Sequence, residues 1–227
     1  MPLTLYSHPL ASYCHKVLIA LYENDTPFTA YLLDLGNPGE AAKFVDLWPV
    51  GKMPVLHDSD RNTTIAESSI IIEYLDQHHF RAKLLPADAQ QNLDTRLWDR
   101  FCDLHIHEHM QKVVADSLRP DGSKDPTGVT DAHNRLKTAY AMLDRHMANR
   151  DWPAAERFTL ADCAATPALF YASIVSPFPP DHPHLTAYFE RLLARPSVQR
   201  VLAEARPFFQ YFPFVADMPA RFLTDQT

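Results

Sequence analysis

Strand-like runs are confined to the first third of this chain, and the remainder reads as helix. LTLY at 3–6 and FTAYLL at 28–33 are rich in the residues that suit a pleated, half-buried surface. Between them, Ser12 offers an N-cap hydroxyl, and Val17, Ala20, Leu21 and Asn24 follow at helical spacing. Strand, helix, strand within about thirty residues is a βαβ unit, which makes its two strands parallel. A second helix is expected over Glu40–Leu47, stopped by Trp48-Pro49. PVLH at 54–57 and TTIA at 63–66 flank the turn DSDRN and predict a hairpin. Glu67 and Ser68 then open a helix carrying Ile71, Ile72, Tyr74 and Leu75. Residues 1–80 thus spell βαβ-α-ββα, an α/β domain.

A connector over 81–90 leads to an all-helical domain over 91–227, with helices expected at Leu93–Ala115, Asp131–Ala148, Thr159–Ile174, Leu185–Leu193 and Ser197–Ala205. FTLAD at 158–162 is a capping box, with Thr159 and Asp162 each placed to accept a backbone N–H and Phe158 to staple the next turn. DSLRPDGSKDPTGVTD, Asp116–Asp131, reads as one long loop between helices.

The chain of 227 residues is ordinary in apolar content, 46%, and so has the means to fill a core. Its net charge of −7, with no long basic run, argues against nucleic acid and anionic membranes as partners. Neither GxGxxG nor GxxxxGK[ST] occurs, which removes two common nucleotide sites. Cys14, Cys102 and Cys163 are far apart with no CxxC, so a reduced, cytoplasmic protein without a zinc site is expected. The N-terminus lacks the plan of a signal peptide. CAATPALFYASIVSPFPP, Cys163–Pro180, is free of charge, but its prolines and hydroxyls fit a buried helix and a turn better than a membrane span.

Three short motifs, KMP at 52–54, ES at 67–68 and TLAD at 159–162, sit within this two-part plan, in VGKMPVL, AESSIIIEYL and FTLAD. In that order and spacing the chain resembles the cytosolic glutathione transferase family, a serine-type member of bacterial style, along essentially its whole length. The resemblance implies a thioredoxin-like N-terminal domain, a helical C-terminal domain and a homodimer. It also implies glutathione as co-substrate and a cis peptide at Met53-Pro54, whose backbone pairs with the ligand's cysteinyl residue. Glu67 is then expected to take the γ-glutamyl ammonium, and the helix start with Ser68 the adjacent carboxylate. Lys52 is placed either at the glycyl carboxylate or in solvent.

Activation of the glutathione thiol needs a donor at the start of the first helix. Where the serine-type members carry their catalytic serine, this chain has Ala11. The neighbouring Ser12 is the candidate, either as thiolate donor or only as helix cap, with Tyr13 in reserve. Tyr6 lies in a strand at an offset that points into the core. Cys14 reads as an inert buried thiol. His105 and His109 share a helical face while His107 points away. Without a third ligand the pair is not read as a metal site, and is expected to line the electrophile pocket or the dimer seam. RPFFQYFPF at 206–214 reads as a packed terminal segment in preference to a flap over the domain seam. The expected activity is transfer of the glutathione thiolate to a small hydrophobic electrophile. Two alternatives stand beside it: a non-catalytic binding or scaffold protein that has lost its hydroxyl at Ala11, and an isomerase similar to maleylacetoacetate isomerase. The serine-serine-cysteine loop of the latter is replaced here by Ala11-Ser12-Tyr13.

Overall fold

A computed structural model of the chain describes residues 1–224. Four strands, β1 (Leu3–Ser7), β2 (Thr29–Leu32), β3 (Val55–Asp58) and β4 (Thr63–Ala66), form one sheet in the order β2-β1-β3-β4. β1 and β2 run parallel, while β3 is antiparallel to both β1 and β4, so the βαβ unit and the hairpin are as expected. The sheet has two covered faces. Leu3, Leu5, Leu56 and Ile65 join α1 (Ser12–Glu23) and α3 (Ser68–His78) in the main core. On the other side Phe44 of α2 (Pro38–Leu47) packs with Leu33 and Val55, and Tyr6 lies against it. Burial alternating along β1 is the period of two that a sheet covered differently on its two faces requires.

The helical part starts at α4 (Ala89–Phe101), which runs through a π-helical segment, Cys102–His107, into α5 (Glu108–Ser117). α6 spans Pro126–Met147, α7 Leu160–Val175, α8 Pro183–Leu193 and α9 Pro196–Ala205. The long loop expected over Asp116–Asp131 is shorter than its composition suggests. Asp125 caps α6, its carboxylate accepting from the Gly128 N–H at 2.9 Å, and Pro126 fills the first helical position, where no N–H is needed. α7 is the central pillar: Leu169 and Phe170 are fully buried, each contributing about 1.5–3 kcal/mol by leaving water. The uncharged Cys163–Pro180 stretch is therefore a core helix and a turn, and among the described residues no helix is long and apolar enough to cross a membrane.

The capping box forms at the start of α7. Asp162 Oδ2 accepts from the Thr159 N–H at 2.8 Å and from its hydroxyl at 3.0 Å, and Oδ1 accepts from Tyr188 at 2.7 Å. Burial nevertheless outweighs these three bonds and pushes the Asp162 carboxyl up to about 6. A carboxyl that binds its proton more tightly folded than unfolded loses stability as it ionises, from about pH 4 to just above about pH 6. Wild type is thus expected to lose about 3 kcal/mol across that window relative to Asp162→Asn, measured by urea unfolding at stepped pH. Parallel pH profiles for the two proteins would contradict it.

Candidate functional site

The loop between β1 and α1 is pinned from several directions. The Ala11 N–H donates to the His8 carbonyl at 3.0 Å, and the Leu10 N–H to His8 Nδ1 at 3.2 Å. Tyr171 of α7 donates to the Leu10 carbonyl at 3.0 Å, and His15 Nε2 to the Pro9 carbonyl at 2.5 Å. Burial holds the His15 imidazole down at about 4, so it is neutral and keeps one N–H for that bond. A loop tied to both halves of the chain presents the start of α1 in one fixed place.

Ser12 does not cap that helix. Ala11 has the extended backbone of an N-cap, φ −78° and ψ 112°, and Ser12 is the first helical residue. No side chain caps α1, so its first N–H groups have no side-chain acceptor. The Ser12 hydroxyl instead meets Nε2 of His107, the last residue of the π-helical segment, across the boundary between the two halves. Both residues are buried. Burial, and then the charge of Lys16, push the His107 imidazole down to about 3. Tyr13 lies beside it, the two ring centres 4.0 Å apart. Burial and then the negative charge of Asp103 raise the Tyr13 phenol well above its usual value.

These groups form one wall of a cleft of about 570 Å³ between the halves of the chain. His8, Leu10, Ala11, Ser12 and Tyr13 line it from the first loop, and Gly51, Lys52 and Met53 from the segment before β3. Met110, Gln111, Val114 and Tyr171 complete it from the helical side. Met53-Pro54 is cis, as the resemblance implied. Pro54 precedes β3, and Val55 pairs with Ala66, so Met53-Pro54 and Glu67-Ser68 lie at the same end of the hairpin. Glu67 is exposed, caps α3 without a side-chain hydrogen bond, and holds φ at +67°, a left-handed conformation that costs a non-glycine residue about 1 kcal/mol or more. Ser68 is buried at the first position of α3. Lys52 is exposed at the rim.

Two expectations are corrected. His105 and His109 do not line this cleft, which removes the pocket half of the expectation and leaves the dimer seam for them. They open on a separate groove with Phe101, Arg135, Thr138 and Met142, and His107 is the histidine that faces the site. Ile106, Met110, Val113 and Val114 are buried, and that apolar stripe fixes which side of the helix turns inward. It was the sequence signal for His107. The aromatic tail is not simply packed: Tyr211, Phe212 and Pro213 line the cleft, and Phe208 meets the His8 ring edge-on at 5.3 Å. The cysteines are as expected: all three are buried, and burial lifts the Cys14 thiol to about 12. Among the described residues no cluster of three metal-ligating side chains occurs.

Comparison with known proteins agrees with this fold. Residues 11–78 match the family model described as glutathione S-transferase, N-terminal domain, and residues 101–196 match that of the C-terminal domain. Glutathione S-transferase 3 of Zea mays is 30% identical over 211 residues, covering 89% of this chain and 94% of the relative. FtsZ-localized protein A of Caulobacter vibrioides is 28% identical over 217 residues, covering 90% and 92%. A glutathione S-transferase of Methylobacillus flagellatus, solved with glutathione bound, superposes with a TM-score of 0.80 at 25% identity, covering 88% of this chain and 98% of that one.

Proposed function

Because the chain belongs to the glutathione S-transferase family, we propose that it binds glutathione at Lys52, Met53, Pro54, Glu67 and Ser68, and transfers its thiolate to a small apolar electrophile. The observation that carries the reading is the convergence of Ser12, the uncapped start of α1 and Met53 on one cleft. A thiol set at that helix end ionises more readily, because the dipole and the Ser12 hydroxyl favour the anion over the neutral form. Its proton passes to solvent through the cleft, and the sulfur then forms a bond to the electrophilic carbon. The leaving group departs with the bonding pair, or in an addition to a double bond the neighbouring atom receives the electron pair and takes up a proton from solvent. The apolar wall of Leu10, Met110, Val114, Tyr171 and Phe212 suits a hydrophobic second substrate. An isomerase would use the same thiolate and differ only in that second substrate.

Glu67 supplies the test. Its exposed carboxylate at a strained backbone position, beside an uncapped helix start, fits a partner for the ligand ammonium and carboxylate. Calorimetric titration of wild type with glutathione is expected to show binding, weakened about ten- to a hundredfold in Glu67→Ala, the loss of one charged hydrogen bond. Glu67→Gly relieves the backbone strain and removes the same carboxylate, so it should melt no lower than wild type yet bind as weakly as Glu67→Ala. Light scattering on the same samples should report two chains per particle, since Leu93, Leu97, Leu104 and Met142 leave an apolar surface exposed. A well-folded wild type that takes up no glutathione would overturn the transferase reading. It would favour a non-catalytic binding protein, the reading that Ala11 supports.

A further inference from the structure

We propose that His107 is the positioning residue for the Ser12 hydroxyl: its Nε2–H donates to Ser12 Oγ and leaves the serine proton to point at the glutathione sulfur. The inference rests on the reading of Ser12 given above. A serine hydroxyl has one proton to give and two lone pairs to receive with. If Ser12 is to hold a thiolate, that single proton must be free, so a buried neighbour on its oxygen has to be a donor. His107 is such a neighbour: it is 4% exposed, faces the same cleft and meets Ser12 Oγ through Nε2.

The surroundings keep it neutral, so that one of its ring nitrogens carries a proton to donate. Lys16, four residues along α1 from Ser12, places its ammonium near the imidazole, while Asp99 and Asp103 on the long α4–α5 helix take up that charge as ion pairs. Tyr13 covers the ring from α1, and His8 lies in the loop across the cleft. Buried among these groups, His107 stays neutral at physiological pH and carries one N–H. With that N–H on Nε2, it orients the hydroxyl without removing its proton. The π-helical segment ends on this residue, and such insertions recur where a helix must aim a functional side chain.

The two possible directions of the hydrogen bond predict opposite signs, which makes the proposal decidable. The ultraviolet absorbance of bound glutathione thiolate is followed against pH in wild type, His107→Leu, His107→Gln and Ser12→Ala, with steady-state kinetics on each. In His107→Leu the thiol midpoint should rise by about one pH unit and kcat/KM fall about tenfold, with KM for glutathione within about twofold of wild type. His107→Gln keeps a donor and should return to within about threefold of wild type. A midpoint that falls in His107→Leu would mean that the imidazole had been consuming the serine proton, and a midpoint that stays put would mean that it plays no part. Either result overturns the proposal. A merely structural loss would lower the melting temperature and the bound fraction without moving the midpoint. His107→Met replaces the leucine variant should that one not fold. If Ser12→Ala leaves the midpoint unmoved, the reading of Ser12 itself fails, a result distinct from failure of His107 alone.

Discussion

Lys16→Met is expected to destabilise the protein by about 3–5 kcal/mol at neutral pH, the range found when one member of a buried ion pair is removed. Lys16 is fully buried on α1, with its ammonium 2.6 Å from Asp99 and 2.9 Å from Asp103. It also donates to Ser69 of α3 at 2.9 Å, and Ser69 in turn donates to Asp99 at 2.9 Å. Burial opposes the lysine charge, but the two carboxylates overcome it and hold the ammonium above its ordinary value. Asp103 feels the same burial, which raises its carboxyl, so its ionised form depends on Lys16. Methionine fills the space and leaves two carboxylates with little but Arg100, at 3.2 Å from Asp103, to answer them.

The sign of the pH dependence follows. In Lys16→Met the Asp103 carboxyl, which burial raises, loses the cation that opposes that rise, so folding favours its protonated form and the penalty should shrink as pH falls toward about 4. Adding Asp99→Asn and Asp103→Asn should recover at least about half of the loss, because the cost lies in the uncompensated charges more than in the missing pair. Urea unfolding of the three proteins at two pH values decides it. A single variant within about 1 kcal/mol of wild type would show that water reaches the cluster and screens it.

That cluster also marks the limit of what sequence alone reveals. The strands, the hairpin and the capping box at Thr159–Asp162 were legible because each is specified by residues within one turn or one strand of each other. Lys16 was not, since a lysine on a helix is ordinarily solvated, and only the arrival of α4 with Asp99 and Asp103 makes it an interior residue. The start of α6 was missed because Asp125-Pro126 carries both loop and helix-start meanings, and the cap decides between them. The three histidines show the same boundary. Their spacing correctly separates His107 from His105 and His109, but which face turns inward is a tertiary fact, written only in the buried stripe of Ile106, Met110 and Val114. The tail is a further case: nothing local to residues 206–214 says that Tyr211 and Phe212 reach a cleft walled by residues 8–13.

Ser12→Ala is expected to lower kcat/KM by about a hundred- to a thousandfold, the usual cost of deleting one preorganised donor to a developing or standing anion. The estimate rests on what remains at that corner of the cleft. Ala11 has no hydrogen-bonding side chain, and Lys52 stands at the exposed rim. Tyr13 is the other hydroxyl near the start of α1, and its phenol is held protonated by burial and by the charge of Asp103. It is able to donate, yet its ring lies tilted against His107, the centres 4.0 Å apart, and it is Ser12 that the His107 Nε2 meets. Tyr13→Phe should therefore cost less than about threefold. The residual activity of Ser12→Ala comes from the uncapped N–H groups of α1, which act on any anion set against the helix end. Ser12→Thr keeps the hydroxyl and should retain most of the rate if the added methyl group fits against His107. The decisive comparison is between the two hydroxyl deletions: a large fall for Tyr13→Phe with little change in Ser12→Ala would move the thiolate donor one residue along the helix. The mixed result, with both falling a hundredfold, would mean that the two hydroxyls share the sulfur. Should neither substitution slow an enzyme that still binds glutathione, the helix dipole alone sets the thiolate, and Ala11 is then no departure from the machinery this chain needs.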